Sequence, residues 1–199
     1  MEQWYLDNLV CPVDKSSLEY KDGELISSSG RKYPVVDGVP VMLVDNKKPT
    51  LPHVTVSLEV AQRNKKTKKE GTENLYLETL GLKEKESDII QLTASNDSSV
   101  DPVVSYIIAA TNGIAYKDLI GKVPEYPIPE LRLPDGHSEL LLDVGCSWGR
   151  WSIAAARKGY TVIGLDPILG SVMAAKRVAE DLELPIKHVV GDARYLPFQ

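Results

Sequence analysis

Three apolar runs near the C-terminus, each closed by an aspartate, constrain this chain more than anything else in it. Leu140-Leu141-Leu142-Asp143-Val144 ends at Gly145, Thr161-Val162-Ile163-Gly164-Leu165 ends at Asp166-Pro167, and Ile186 to Val190 ends at Gly191-Asp192. Continuous apolar runs of this length, bounded by turn residues, read as buried parallel strands. Two helical patterns lie between them. Trp148 to Lys158 is stopped by Gly159, and Ile168 to Leu182 sets Val172, Ala175, Val178, Ala179 and Leu182 on or near one face. The order β-α-β-α-β with short connections calls for right-handed crossovers and a parallel sheet. Ligands of open α/β sheets bind at the carboxyl ends of the strands, where Asp143, Asp166 and Asp192 stand.

The first turn reads Asp143-Val144-Gly145-Cys146-Ser147-Trp148-Gly149. A dinucleotide fingerprint needs glycine at the first, third and sixth positions, so that a pyrophosphate can approach a helix start. Counting from Gly145, Ser147 and Arg150 stand at the third and sixth, and the match fails. A phosphate-cradling P-loop fails too, because no Gly-Lys-Ser/Thr follows. The turn instead resembles motif I of class I S-adenosylmethionine-dependent methyltransferases, Asp/Glu-x-Gly-x-Gly-x-Gly, with Ser147 in place of the middle glycine. That resemblance covers residues 139–199. It implies the first β-α-β-α-β half of a partial Rossmann-like methyltransferase fold and a site for S-adenosyl-L-methionine. It further implies that Asp143, Gly145, Cys146, Ser147 and Gly149 form the cofactor turn. Asp166, with Pro167 after it, would accept the ribose hydroxyls, and Asp192 with the amide of Ala193 would address the adenine. A simpler reading stays open, in which the aspartates only cap the helices that follow them, and another nucleotide is a further alternative. Cys146 reads as a small filler of the turn, since no histidine neighbours it in sequence. Trp151 is expected in the core and Trp148 at the cofactor pocket.

Residues 1–45 have a different texture. Leu18-Glu19-Tyr20, Glu24-Leu25-Ile26 and Val39-Pro40-Val41-Met42-Leu43 read as short strands, with Lys21-Asp22-Gly23 and Asp37-Gly38 as turns. Pro34 and Pro40 point to edge strands or loops. This is a small β module, too short to build a large core alone. Through Leu9-Val10-Cys11-Pro12-Val13, Tyr33-Pro34 and Asp37-Gly38-Val39-Pro40-Val41-Met42-Leu43 it resembles the Trm112-like, UPF0434-type ribbons. Zinc-binding members of that group use a Cys-Pro-x-Cys pair and a later Cys-x-x-Cys pair. Here Asp14 takes the second position and Ile26 through Ser29 supply no cysteine. One thiolate does not make a structural zinc site, so the ribbon is expected to fold without metal. His53, His137 and His188 are scattered and read as surface or packing residues. Related modules partner methyltransferase domains, and here the module would do so covalently.

Residues 46–138 read as a connector. The basic run Asn64-Lys65-Lys66-Thr67-Lys68-Lys69 suggests a solvated linker or helix face. Helices are expected around Leu75–Leu80 and Lys83–Leu92. Another is expected from Asp101-Pro102 to Ala110, with aspartate as N-cap, proline first, and Asn112-Gly113 as the stop. Prolines at 124, 127, 129 and 134 favour an extended strap.

With 23 Lys+Arg against 28 Asp+Glu the net charge is −5, which disfavours broad phosphate neutralisation and leaves no strong nucleic-acid signal. No stretch approaches the ~20 apolar residues that span a bilayer, and Met1 to Asp7 lacks the pattern of a secretory signal. Two cysteines offer no disulfide framework, and a cytoplasmic location is expected. A class I methyltransferase sheet has about seven strands with the first in the centre, so strand one is expected as an exposed edge, open to self-association. The sequence therefore reads as the leading part of a longer enzyme whose methyl acceptor is unknown. The function expected is methyl transfer by direct displacement, this chain carrying the cofactor-binding half, and no catalytic base can be named. The alternative is a non-catalytic adaptor whose ribbon docks a partner beside a vestigial α/β part, with an NAD-linked oxidoreductase disfavoured by Ser147 and Arg150.

Overall fold

Short strands separated by left-handed turns open the molecule. In the computed structural model, which describes residues 1–49, 51–67, 88, 100–111, 118 and 122–199, a helix α1 (Gln3–Asn8) precedes a four-stranded antiparallel meander. Its strands are β1 (Leu18–Lys21), β2 (Glu24–Ser27), β3 (Lys32–Val36) and β4 (Val39–Pro40), in the order β1-β2-β3-β4. Asp22 and Gly23 turn the first hairpin at φ 52° and 81°, the two positive values a type I′ loop needs. The sequence reading missed α1 and β3. Six residues are too few for helical periodicity to show; α1 is held instead by Tyr5, which is buried against the following sheet. β3 tolerates Pro34 because that residue contributes only its carbonyl, which accepts from Val41 N at 2.8 Å. The segment expected as one strand over 39–43 forms only β4 and then leaves its partner.

Helix α2 (Pro52–Thr67) crosses from the ribbon to the α/β part, and Asn64 to Thr67 of the basic run close it. Helix α3 (Pro102–Thr111) begins as expected, with Asp101 Oδ1 accepting from Val103 N at 2.8 Å. The helices expected at 75–80 and 83–92, and the stop at 112–113, lie outside the described residues, apart from Asp88. Residues 123–138 run without helix or strand, as the proline spacing predicts, and lay Tyr126, Ile128 and Leu131 against the core.

The C-terminal part follows the predicted order: β5 (Leu140–Val144), α4 (Arg150–Arg157), β6 (Thr161–Asp166), α5 (Leu169–Asp181) and β7 (Lys187–Val190). The sheet is parallel throughout, in the order β5-β6-β7. This is the predicted β-α-β-α-β arrangement, and it resembles part of a Rossmann-like fold. β5 is an edge, with Leu140 61% and Val144 49% exposed. At the other edge the chain returns on itself. Val41 bridges Val190 in parallel, Met42 N donates to Val190 O at 2.7 Å, and Leu9 pairs with Phe198. One apolar cluster, containing Val162, Trp148, Val172 and Val178, unites α2, α3, α4 and α5 on one face. The other joins Tyr5, Leu9, Leu25 and Met42 of the ribbon to Ile163, Leu165 and Val189. No helix among the described residues is long and apolar enough to cross a membrane.

Candidate functional site: the carboxyl rim of the parallel sheet

Parallel register carries the three strand ends to one continuous rim. Val144 pairs with Leu165 and Asp166 with Val190, and the loops stay stitched beyond the strands: Gly145 N donates to Leu165 O at 2.7 Å, and Gly191 N to Asp166 O at 3.0 Å. The turn after β5 is wound through left-handed residues, with φ of 81° at Gly145, 51° at Ser147 and 89° at Gly149. Glycine is required twice for different reasons. A Cβ on Gly149 would lie 3.2 Å from Ala175 Cβ, so its absence lets α4 pack on α5. Around Gly145 nothing lies within 4 Å of that position. The space belongs to a cavity of about 250 Å3 lined by Asp143, Gly145, Ser147, Trp148, Arg150 and Trp151. That is below the ~300–1,000 Å3 of whole small-molecule sites, enough for part of a cofactor.

Asp143 is half-buried and fixed by Ser152 Oγ of α4, which donates to Oδ2 at 2.7 Å. Asp166 is almost wholly buried, and both its oxygens accept backbone amides: Ser147 N at 3.0 Å and Ile168 N at 2.9 Å. The carboxylate thus braces the glycine turn and the start of α5 together, which is the capping role the sequence left open. Each oxygen keeps a second acceptor direction. Burial pushes its pKa up; the two amides and the nearby Asp143 charge act in opposite senses on top of that. Pro167 follows, half-buried. Asp192 is also buried, and the Arg194 guanidinium gripping it holds its carboxyl below the usual range. Ala193 beside it is exposed.

The rim brings Asp143, Gly145, Cys146 and Ser147 around one cavity, with Asp166 one hydrogen bond away. Asp192 belongs to a neighbouring cavity of about 110 Å3 with Arg194 and Tyr195. Trp148 lines the cavity as expected, whereas Trp151 is not in the core. Trp148, left-handed Gly149 behind it, turns into the core at 1% exposure and faces the Tyr126 ring at 6.1 Å, meeting the cavity only as a wall. Trp151, on the solvent side of α4, is 41% exposed under the Arg150 guanidinium. Cys146 is buried, its Sγ 3.1 Å from where a Cβ on Gly164 would stand, and burial drives its thiol well above the usual range. It packs rather than reacts. Sequence reasoning missed Ser152, Arg194 and Ser57, whose Oγ accepts from Leu169 N at 3.0 Å. Only Arg194, two residues from Asp192, left a local trace.

In the ribbon, hydrogen bonds fill the region around Cys11. Its Sγ meets Tyr33 Oη at 3.1 Å, and Asp14 accepts from Ser16 N and Ser16 Oγ at 3.0 and 2.7 Å. Ser29 and Cys11 add to these, and together they hold the Asp14 carboxyl far below its ordinary range. Among the described residues no group of three or more His, Cys, Asp or Glu could hold a metal ion.

Similarity searches agree with both parts. The N-terminal region is similar to the UPF0434 protein of Cupriavidus metallidurans, 42% identical over 62 residues, which are 30% of this chain and 90% of that protein. The chain belongs to the UPF0434 family. The UPF0434 protein of Polaromonas naphthalenivorans is 54% identical over 54 residues, 26% of this chain and 88% of its own. Family membership is therefore carried by the ribbon. Residues 141–199 match a second family, described as a methyltransferase domain. Among solved structures, coclaurine N-methyltransferase bound to N-methylheliamine and SAH aligns at 12% identity and a TM-score of 0.31, over 72% of this chain. The chain spans 45% of that protein's length.

Proposed function

We propose that this UPF0434-family chain is the cofactor-binding part of an S-adenosylmethionine-dependent methyltransferase, acting by direct displacement on an acceptor still to be found. The observation that carries the reading is the open space at left-handed Gly145, flanked by Asp143 and braced by Asp166. The residues fit the group. A glycine turn with room beside it admits a ligand to the backbone, and carboxylates suit its cationic centres and ribose hydroxyls. When bound, the cofactor supplies an activated methyl on a sulfonium. Asp143 and the turn hold its amino-acid end, Asp166 fixes the ribose, and Asp192 with Ala193 addresses the base. The protein's contribution to rate is alignment, with exclusion of water second. A cytoplasmic location belongs to the reading, Cys11 and Cys146 both being free thiols.

One observation favours the alternative, a non-catalytic adaptor: both Asp166 oxygens already serve backbone amides. Calorimetric titration with S-adenosylhomocysteine separates the two. Binding is expected, and Asp166→Asn, folded by circular dichroism, should weaken it by about 1.5–3 kcal/mol, the worth of hydrogen bonds to a charged group. A folded wild-type chain that takes up no ligand would leave the adaptor reading.

A further inference from the structure

Helix α5 has no cap of its own. Its N-cap residue is Ile168, which makes no side-chain hydrogen bond, and its first turn carries no acidic residue. Isoleucine is among the poorest N-caps, and the first amides of a helix have no partner within it. Two residues outside the helix take them. Asp166 Oδ1 accepts from Ile168 N at 2.9 Å, and Ser57 Oγ of α2 accepts from Leu169 N at 3.0 Å, across 112 residues of sequence. Pro167, between Asp166 and Ile168, has no N–H to offer.

Ser57 is placed for that contact. It is wholly buried within α2, and its hydroxyl donates to the His53 carbonyl at 2.8 Å. With its proton directed there, the oxygen turns its acceptor side to Leu169 N. A serine inside a helix lowers helix stability relative to alanine, so the needs of α2 alone do not account for it. The path continues past α5. Asp166 Oδ2 accepts from Ser147 N at 3.0 Å, and Ser57 is thereby joined through Leu169, Ile168 and Asp166 to the left-handed turn beside Gly145. In the other direction α2 is seated on the ribbon: Leu58, next to Ser57, lines a cavity of about 420 Å3 with Tyr33, Pro34 and Leu43. A site holds its geometry only as well as the residues behind it are fixed.

We propose that Ser57 is a positioning residue: as the cap of α5 it fixes the Asp166 carboxylate and the glycine turn, and it makes the connector helix a determinant of ligand affinity at the rim. This rests on the cofactor reading above. It gives α2 a part in the site as well as in joining the ribbon to the sheet.

The test is calorimetric titration of S-adenosylhomocysteine into the full chain, well below its unfolding temperature, for wild type and two variants. Ser57→Ala leaves Leu169 N without its acceptor and should weaken binding about two- to tenfold, the range of one hydrogen bond. Val60→Ala removes buried packing from the same helix without touching the path. It should lose stability yet bind within about twofold of wild type. Equal affinities in the two variants are what a merely structural role gives, and they overturn the proposal. Amide hydrogen exchange supplies a reading without ligand. Exchange in Ser57→Ala should quicken at Ser147 as well as at Leu169, and a change confined to Leu169 overturns the proposal even where the cofactor reading stands. Wild type that takes up no S-adenosylhomocysteine overturns the cofactor reading and this one with it. If Ser57→Ala does not fold, Ser57→Cys replaces it, its sulfur being a weaker acceptor, with weaker binding expected and an unchanged affinity overturning.

Discussion

The two edges of the parallel sheet are treated in opposite ways. At β7 the outward peptide groups are consumed by the ribbon. Tyr5 Oη donates to His188 O at 3.1 Å and accepts from His188 N at 3.2 Å, while Met42 N serves Val190 O. Beyond the strand, Val10 N serves Pro197 O and Lys15 Nζ donates to Leu196 O. A tyrosine hydroxyl thus does the work of a neighbouring peptide unit. At β5 no described residue pairs with the outer side, and Leu140 and Leu142 line an apolar cavity of about 550 Å3 with Ile163, Leu196 and Phe198. An unprotected strand edge invites pairing, and only one of these two is protected. The ribbon covers β7 as an edge strand would, and its apolar residues Tyr5, Leu9, Leu25 and Met42 pack on the sheet in doing so.

Truncating each edge should expose the contrast most strongly. Met42 is wholly buried where the ribbon meets Val190, so Met42→Ala should cost about 2–5 kcal/mol in denaturant unfolding. Leu140→Ala, at an exposed position on the open edge, should stay within about 0.5 kcal/mol. Equal costs would mean that the ribbon rests on the sheet without bracing it.

Tyr5→Phe comes next. It keeps the ring in its buried place but strips two peptide groups of His188 of their partner, which should cost about 1–3 kcal/mol. The hydroxyl is protonated at any working pH, since burial pushes its pKa up to about 12. A loss below a few tenths would show that His188 finds other partners.

That capped edge is the part of the molecule hardest to foresee. β5 to β7 were legible because apolar runs and short loops leave one topology, and the rim followed because parallel register aligns strand ends. The covering of β7 depends on Tyr5, Val41 and Met42, roughly 150–180 residues away in sequence, and no local pattern announces a contact of that range. The exposure of Trp151 has a similar cause. It turns on left-handed Gly149, which delays the helix start to Arg150 and so shifts which positions face the core. At the site, aspartates at strand ends were visible, and Arg194 stood near Asp192 in sequence, but the bond from Ser147 N to Asp166 spans 19 residues and depends on how the turn closes over the sheet.

His188 sharpens the comparison from within the closed edge. Its ring is 2% exposed, and its Nε2 is the one buried side-chain atom without a partner among the described residues. Burial, with Lys176 and Lys187 adding repulsion, lowers its pKa to about 3. Between pH 6.5 and that value the unfolded chain binds a proton that the folded one refuses. Stability should therefore fall as pH falls through this window, by up to about 1.4 kcal/mol per unit from this group. His188→Leu should flatten that part of the profile, and a profile of unchanged slope would place the ring in contact with water.

The open edge offers the smallest effect on stability and the most direct reading of partnership. An apolar five-residue strand with one free side should make sedimentation of the wild-type chain depend on concentration. Leu140→Lys puts a charge on the edge, as natural sheets do to discourage pairing, and should change unfolding by no more than about 0.5 kcal/mol. It should at the same time reduce the associated fraction. Tyr20→Lys, on the exposed edge strand β1 of the ribbon, is the matched control and should leave association as it was. β1 is four residues long and already carries Glu19 and Lys21, so its edge is blunted. If Tyr20→Lys disrupts association and Leu140→Lys does not, the contact surface lies on the ribbon, and the asymmetry between the two edges of the parallel sheet has no bearing on assembly.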